Sequence, residues 1–307
     1  MRWRLHGMCA LVALASLSAF TLVFPLREAA ACSVCGCDPA AGTLGLDRPS
    51  SGALRIGIED RYLYKESGEG PDAESEREDR LVLRAQYAPL ERLALQAELP
   101  YFIFRKHLND AGVQDDDATG LGDVTLAARY EVLRVGLEAR HVVALTGTLK
   151  LPTGPNAREL NGAQDEHIQL GTGSYDGIAG ISYLYGLQPW TLYANVSGRL
   201  NSANGRGFRY GNALFATLGA RRSFLASGRL IGSLEAQARH AGKDRSTHGF
   251  DPDSGGFVGY ASGSVAYAIT NELLFRVLAQ VPAITSLNGV QSEHPVFYAT
   301  LTYDLAL

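Results

Sequence analysis

Apolar and polar residues alternate along most of this chain, from about residue 51 to its end. In the stretch 92–104, Leu95 and Leu99 fall on one face of an extended strand, whereas Gln96 and Glu98 fall on the other. A period of two is the signature of a β-strand, because successive side chains of a strand point to opposite faces. The pattern therefore predicts an all-β chain in which every strand has one apolar and one polar face.

About twelve such segments can be counted, and most of them are long. Strands in soluble sheets usually have about five or six residues, whereas a tilted membrane strand needs about 9–11. An even number of strands is also typical of bacterial single-chain barrels. The sequence therefore predicts an antiparallel transmembrane β-barrel of about 12 strands. The predicted strands lie near 52–65, 79–89, 91–104, 120–133, 135–151, 168–186, 190–201, 208–224, 228–240, 256–269, 271–283 and 294–307.

The connections alternate in length, which predicts how the barrel is oriented. Outer-membrane barrels have short periplasmic turns and longer external loops. The long polar connections are 66–78, 105–119, 152–167, 202–207, 241–255 and 284–293. The short ones lie around Pro89-Leu90, Leu133-Arg134, Leu187 to Pro189, Ala226 to Gly228 and Thr270-Asn271. Both ends of the barrel then fall on the periplasmic side, and we expect the protein in the bacterial outer membrane.

The first 31 residues have the features of a secretory signal peptide. A basic start is followed by an apolar run, 8–24, and by small residues directly before Cys32. A transmembrane helix is the alternative, but the run is short for about 30 Å of hydrocarbon. We therefore predict a signal peptide over 1–31, a periplasmic segment over 32–50 and the barrel over 51–307.

Composition and charge agree with a β-barrel and argue against a nucleic-acid-binding protein. The formal net charge is −4, and it becomes −6 when three arginines and one glutamate are removed with the leader. Such a chain lacks the basic bias of a nucleic-acid-binding protein. Thirty-four glycines and 14 tyrosines beside two methionines suit a β-protein with many tight turns.

The polar face carries interspersed charges of both signs, which is typical of a wet barrel lumen. A soluble barrel, with its apolar face inward, is the alternative. The arginines can be interpreted as a basic ladder that selects anions, or as partners of the acids in struts across a narrow lumen. The predicted lumen-lining residues are Arg80, Arg84, Glu98, Arg129, Glu131, Glu138, Arg140, Arg199, Glu235, Arg239 and Arg276.

Two acidic clusters fall in the predicted external loops. They could bind divalent cations that bridge lipopolysaccharide, or they could simply keep the loops solvated. Their members are Glu66, Glu69, Asp72, Glu74, Glu76 and Glu78 in the first loop and Asp110, Asp115, Asp116 and Asp117 in the second.

Cys32, Cys35 and Cys37 form a C-x2-C-x-C cluster at the start of the predicted mature chain. Three thiolates at this spacing could hold one soft ion such as copper or zinc. In the oxidising periplasm they could instead form a disulfide with one cysteine left for a partner. A lipidated Cys32 is a third interpretation.

Catalysis is the last chemistry to consider, because a serine and a histidine on a barrel wall could hydrolyse lipid. None of the candidate serines lies in a Gly-x-Ser-x-Gly elbow, so we predict no catalytic residue. The candidates are His141, His167 and His240 with Ser174, Ser197 and Ser233.

Three motifs resemble those of a known family, the outer-membrane transporters named after the meta-cleavage pathway of phenol degradation. They are Gly-Leu-Gly-Asp-Val at 120–124, Leu-Pro-Thr-Gly at 151–154 and Leu-Gly-Thr-Gly-Ser-Tyr-Asp at 170–176. The resemblance implies an outer-membrane barrel that admits hydrophobic or aromatic small molecules and has no assigned catalytic residues. The chain departs from the usual pattern in ending on Leu307, where outer-membrane barrels usually end on an aromatic residue, and in its cysteine cluster.

The sequence therefore predicts an outer-membrane channel or transporter for small molecules, and not an enzyme. The alternative is a closed structural barrel that presents the cysteine cluster to a metal or to a periplasmic redox partner. A third function is that of an outer-membrane lipid hydrolase. The expected partners are outer-membrane lipid and lipopolysaccharide, the barrel assembly machinery, a small-molecule solute and a periplasmic protein, and none of them is nucleic acid.

Overall fold

The structure is a computed structural model that describes residues 49–306, apart from 68–73, 110–115, 137–139, 161–162, 165–167 and 225–227. The predicted signal peptide, the cysteine cluster and Leu307 lie outside the described residues. No helix in the described part of the chain is long and apolar enough to cross a membrane.

The described residues form an all-β fold with eighteen strands. In chain order these are β1 (Ala53–Ser67), β2 (Glu74–Leu90), β3 (Leu93–Asn109), β4 (Asp116–Leu121), β5 (Thr125–Val135), β6 (His141–Lys150), β7 (Glu159–Leu160), β8 (Ala163–Gln164), β9 (Asp176–Leu187), β10 (Trp190–Asn201), β11 (Ala213–Phe224), β12 (Leu230–Ala241), β13 (Arg245–Ser246), β14 (Gly249–Phe250), β15 (Gly256–Ala268), β16 (Leu273–Leu287), β17 (Gln291–Glu293) and β18 (Val296–Ala306).

These strands build one closed antiparallel barrel with twelve strand positions around the ring. Neighbours in sequence pair around the ring, and β1 closes it by pairing with β2 on one side and with β18 on the other. The strands β4 and β5 are two parts of one interrupted barrel strand, because both pair with β3. The short β17 continues the edge of β18 along β1, while β7 with β8 and β13 with β14 are loop hairpins. The predicted 12-stranded barrel is confirmed.

The polarity of the barrel is inverted relative to a soluble protein. On β12, Leu234 is 74 % exposed, whereas the next residue, Glu235, is 6 % exposed and Gln237 is 3 % exposed. The same inversion holds on β11, where Leu218 is 61 % exposed and Thr217 is 7 % exposed. An apolar outer wall is stable only in hydrocarbon, and a closed barrel leaves no unpaired strand edge there. This finding excludes the soluble-barrel interpretation.

Aromatic side chains mark both rims of the outer wall. Seven of the aromatic residues on the apolar strand faces are exposed there, as expected for interfacial girdles. They are Tyr101, Tyr130, Tyr183, Trp190, Phe275, Phe297 and Tyr303.

Several strand boundaries differ from the predicted ones, and each difference has a local cause. The predicted strand 168–186 begins only at Asp176, because Ile168 and Leu170 are buried as part of a loop that folds inward. The predicted turn at Leu133-Arg134 lies instead between β5 and β6, near Gly136, whose φ of 86° suits glycine. Strands β1, β2 and β3 also extend into the predicted loops, since pairing continues beyond the alternating apolar stretch.

Candidate functional site in the barrel lumen

The three sequence motifs meet at one point of the barrel wall. Loop 3, residues 151–175, connects β6 to β9, and its backbone packs against the break between β4 and β5. A Cβ atom built on Gly171 would lie 2.4 Å from the carbonyl oxygen of Gly154, and one built on Gly154 would lie 2.9 Å from the carbonyl carbon of Gly122. Real Cβ atoms do not approach backbone so closely. Glycine is therefore required for this three-way contact.

Asp123 holds loop 3 at this point through hydrogen bonds to both of its carboxylate oxygens. The backbone N–H of Gly154 donates to Oδ1 at 2.9 Å, and the N–H and hydroxyl of Thr172 donate to Oδ2 at 2.8 and 3.0 Å. The ammonium group of Lys150 lies 3.4 Å from Oδ2. Asp123 is 8 % exposed, so this charge depends on its partners to remain buried.

A second buried carboxylate, Asp176, continues the network on β9. It pairs with Lys150 and lies 3.5 Å from Nη2 of Arg199, and the hydroxyl of Ser174 donates to it at 3.0 Å. Neither Asp123 nor Asp176 is among the predicted lumen residues, although both lie in the motifs that carry the family resemblance. The available signal was an acidic residue next to glycine at a strand end, where the alternation stops.

The external half of the lumen is crossed by ion pairs between strands and loops. Arg105 of β3 lies 2.8 Å from the carboxylate of Glu76 on β2, and it donates a hydrogen bond to the backbone carbonyl of Gln169 in loop 3. Glu78 lies 3.6 Å from Arg80. Interpreting Glu76 and Glu78 as solvated loop acids is therefore wrong. They are 6 % and 3 % exposed because β2 already begins at Glu74.

Glu293 of β17 forms another buried cluster at the same end. It pairs with Arg239 of β12, lies 3.8 Å from Lys65 of β1 and accepts a hydrogen bond from Tyr260 of β15 at 3.2 Å. Side chains from three other strands thus converge on one carboxylate. The cluster therefore links β1 to β12 and β15, which lie on the two sides of the pair β16 and β18.

Nearer the periplasm, acid–base pairs lie along the lumen wall, some between adjacent strands and some within one strand. Arg84 lies 2.7 Å from Glu98 and 3.4 Å from Glu59, and Arg129 lies 2.8 Å from Glu131. In both cases acids and bases compensate each other's burial along the wall rather than across the lumen.

A row of side-chain hydrogen bonds without a basic residue runs along the opposite wall, with the Glu235 carboxylate at one end. The Tyr193 hydroxyl donates to Glu235 at 2.6 Å, and the side-chain amide of Gln237 donates to the other oxygen of Glu235 at 2.5 Å. The amide of Gln280 donates to Gln237, and the Tyr298 hydroxyl donates to Gln280 at 3.4 Å. This row joins β10, β12, β16 and β18.

The predicted lumen residues fall into three groups. Nine point into the barrel in the structure: Arg80, Arg84, Glu98, Arg129, Glu131, Arg199, Glu235, Arg239 and Arg276. Arg140 is exposed directly before β6 begins at His141, so its place in the lumen stays a prediction. Glu138 lies outside the described residues.

Three apolar patches interrupt the polar lining of the lumen. One joins Phe102 and Ala118 to Leu170 of loop 3, and a second packs the loop residues Phe208 and Tyr210 against the wall. The third contains Leu63, Leu278, Val296 and Tyr298. The lumen is therefore amphipathic rather than uniformly charged.

The serines and histidines considered for catalysis are separated by the barrel wall. Ser174 and Ser233 point inward, where they bond to Asp176 and Ser264. His141 lies on the outer face beside Tyr183, whose hydroxyl is 2.8 Å from Nδ1. Among the described residues, no hydrogen bond joins a candidate serine to a histidine, and His167 lies outside them.

The metal prediction concerns a segment that the structure does not describe. Cys32, Cys35 and Cys37 lie outside the described residues, so copper or zinc binding there stays a prediction. Within the described ranges, no group of three or more metal-ligating side chains is found.

Comparison with known proteins supports this description. The fold is similar to an outer membrane channel from Pseudomonas putida F1, with a TM-score of 0.68 and 15 % identity, over 85 % of this chain and 98 % of that one. It is also similar to the translocator domain of the autotransporter NalP from Neisseria meningitidis, with a TM-score of 0.50 and 10 % identity, over 87 % of this chain and 93 % of that one. A comparison with curated proteins found no match.

The family comparison gives the identity. The model of the family described as "Putative MetA-pathway of phenol degradation" matches residues 82–282, which is more than half of the chain and includes all three motifs. The inverted polarity and the closed ring make the protein an outer-membrane β-barrel of Gram-negative type. The chain belongs to this family.

Proposed function

We propose that the protein is a passive outer-membrane channel for small molecules that carry an apolar or aromatic group. The observation that carries the proposal is the amphipathic lumen, in which apolar patches lie beside hydrogen-bonded polar groups. A solute with a ring and a polar substituent would find complementary surfaces on this path. The fold similarity to an outer membrane channel agrees with it.

The paired charges support a solute that is neutral or weakly charged. Arg84, Arg129 and Arg199 each have a carboxylate within 3.5 Å, so none of them offers an uncompensated charge to a passing ion. A channel built to select anions would present rings of uncompensated basic side chains. The lining therefore favours polarity and shape over charge as the basis of selection.

The experiment is single-channel recording of the refolded protein in planar bilayers. We expect discrete conductance steps, and we expect 4-hydroxybenzyl alcohol to interrupt the current more often than glycerol at equal concentration. Absence of steps in correctly folded protein would contradict the channel.

A pair of variants separates the apolar patch from general effects on the pore. Leu278→Asn replaces a buried member of the third patch, and Thr300→Asn introduces the same side chain at an inward polar position of the neighbouring β18. We expect Leu278→Asn to reduce the aromatic block and Thr300→Asn to leave it near the wild-type value. Equal block in both variants would contradict selection by this patch.

The alternative proposal is a closed barrel that presents the cysteine segment to a periplasmic partner. It predicts a silent bilayer and partner binding that is lost when Cys32, Cys35 and Cys37 are replaced by serine. A conducting protein with no cysteine-dependent partner would exclude it.

A further inference from the structure

Arg222 is an arginine on the lipid-facing side of the barrel. Side chains alternate along β11, and the positions that share its face include Leu214 and Leu218, which are 53 % and 61 % exposed. Its neighbour Arg221 has the opposite orientation, toward the lumen. A charged side chain on the lipid face is costly at the middle of a bilayer and is tolerated near the headgroups.

The position of Arg222 along the strand places it at the periplasmic headgroup level. It is two residues from the end of β11, beside the short connection to β12. Trp190, its direct cross-strand neighbour, is the first residue of β10 and is 41 % exposed on the outer wall. Tryptophan at a strand end is typical of the interface between lipid and water.

Two aromatic rings hold the guanidinium group at this level. The Arg222 Cζ atom lies 5.3 Å from the ring centroid of Trp190 and 5.2 Å from that of Phe224. On its other side the cross-strand neighbour is Gly232, so no side chain of β12 covers the arginine at that position. Cation–π contacts orient a guanidinium group without using its hydrogen-bond donors.

Those donors have no acidic partner in the described part of the chain. Nε of Arg222 is buried without a hydrogen-bond partner, and no ion pair of Arg222 is found among the described residues. The inward arginines differ, because Arg84 and Arg129 each contact a carboxylate. Because Nε is buried, the two Nη groups are the donors that can bind the oxygens of a phosphate group through two parallel hydrogen bonds.

We propose that Arg222, Trp190 and Phe224 form a binding site for the phosphate headgroup of an anionic phospholipid in the periplasmic leaflet. The site lies outside the lumen and does not depend on whether the barrel conducts. Phosphate is the group of complementary charge that the membrane supplies at this depth. The aromatic rings contact the upper acyl chains while Arg222 binds the headgroup.

The tryptophan content of the chain allows a direct test. The two tryptophans are Trp3 and Trp190, and Trp3 lies in the predicted signal peptide, so the chain from residue 32 onward contains Trp190 as its only indole. The protein is refolded into phosphatidylcholine vesicles that contain brominated phosphatidylglycerol or, in parallel, brominated phosphatidylcholine. Quenching of Trp190 fluorescence against mole fraction gives the relative affinity of its neighbouring lipids.

We expect brominated phosphatidylglycerol to be preferred about fivefold over phosphatidylcholine beside Trp190. Arg222→Gln should reduce the ratio to about one, whereas Arg221→Gln, the inward control, should keep it. Arg222→Lys retains charge without the bidentate fork and should give an intermediate ratio, which tests the proposal even if Arg222→Gln folds poorly. Equal quenching by the two lipids in the wild type, or an unchanged ratio in Arg222→Gln, would overturn the proposal.

Discussion

Two parts of the barrel wall are stabilised in different ways. In the regular wall, formed by β10, β11 and β12, the ladder between β11 and β12 runs unbroken from Ala213 paired with Ala241 to Phe224 paired with Leu230. In the interrupted wall, formed by β3 to β6 with loop 3, the barrel strand that pairs with β3 is interrupted between β4 and β5, and the backbone of loop 3 packs there. Repeated hydrogen bonds hold the first, and a few specific contacts hold the second.

This difference predicts how mutations act on the two walls. A regular ladder distributes stability over many equivalent pairs, so a single change in it has a small effect. At the interrupted wall, stability depends on two specific contacts, the glycine contact and the hydrogen bonds of the Asp123 carboxylate, rather than on many equivalent pairs. We therefore expect the largest effects where the family motifs meet.

The largest expected effect comes from adding one methyl group at the glycine contact. Gly171→Ala would place Cβ 2.4 Å from a backbone oxygen and should destabilise the fold by about 3 kcal/mol, because packed backbone cannot move aside. Urea unfolding in lipid vesicles, followed by the gel shift between folded and heated protein, measures this. The matched control is Gly198→Ala in the regular wall, where no atom lies within 4 Å of the added Cβ. Equal stability of the two variants would show that the contact is unimportant.

A smaller effect is expected from replacing a buried carboxylate with its amide. Asp123→Asn should cost about 2 kcal/mol, because one amide end would face fixed donors that cannot turn away. Glu235→Gln in the regular wall should cost less than about 1 kcal/mol, since the Tyr193 hydroxyl can rotate to accept a hydrogen bond instead. The same unfolding measurement compares them. A larger loss for Glu235→Gln would contradict the distinction between fixed and rotating donors.

The contact between Arg105 and loop 3 should have a specific effect on the current, beyond the loss of stability that follows when any buried ion pair is broken. Arg105→Gln removes the ion pair with Glu76 and weakens the hydrogen bond to the Gln169 carbonyl. Loop 3 should then move more freely at the external mouth, and we expect increased current noise, together with a loss of stability because the buried Glu76 carboxylate loses its arginine. Arg239→Gln, which also loses a buried ion pair but one with Glu293 of β17, is the control. Noise that rises equally in both variants would argue against a specific effect of loop 3.

The smallest expected effect is on ion selectivity. Glu235→Gln removes one negative charge from the lumen and should lower the ratio of cation to anion permeability by about twofold. The reversal potential in a potassium chloride gradient measures this ratio. Leu234→Val, on the outer face of the same strand, should leave it unchanged, and a change of opposite sign in Glu235→Gln would contradict the assignment of Glu235 to the pore.

The sequence predicts the regular wall better than the interrupted one, for a physical reason. Alternation reports which face of a strand is in lipid, and it correctly predicts the exposed side of Leu218 and Leu234. It carries no information where the backbone leaves the sheet, so the predicted strand 168–186 includes eight residues of loop 3 before β9 begins at Asp176. The motif residues signal an irregularity there without showing its form.

For the lumen residues, the sequence predicts which side chains point inward but not which ion-pair partners they have. The inward direction of Arg84 and Arg129 follows from their position between apolar neighbours. The pairing of Arg84 with Glu98 depends on the register between β2 and β3, which turns and bulges set, whereas Arg129 pairs with Glu131 two residues along its own strand. Glu76 and Glu78 could not be distinguished from solvated loop acids, because their burial depends on the continued pairing of β2 with β3.

The measurement that tests the central claim most directly is thiol accessibility at two adjacent positions of β15. In a chain whose native cysteines are replaced by serine, Ser264→Cys places a thiol on the inner face and Val265→Cys places one on the outer face, where Val265 is 52 % exposed. With the protein in vesicles, a charged, membrane-impermeant thiol reagent should label position 264 and leave position 265 unlabelled. Labelling of position 265 alone, or of neither position, would contradict a water-filled lumen enclosed by a lipid-facing wall.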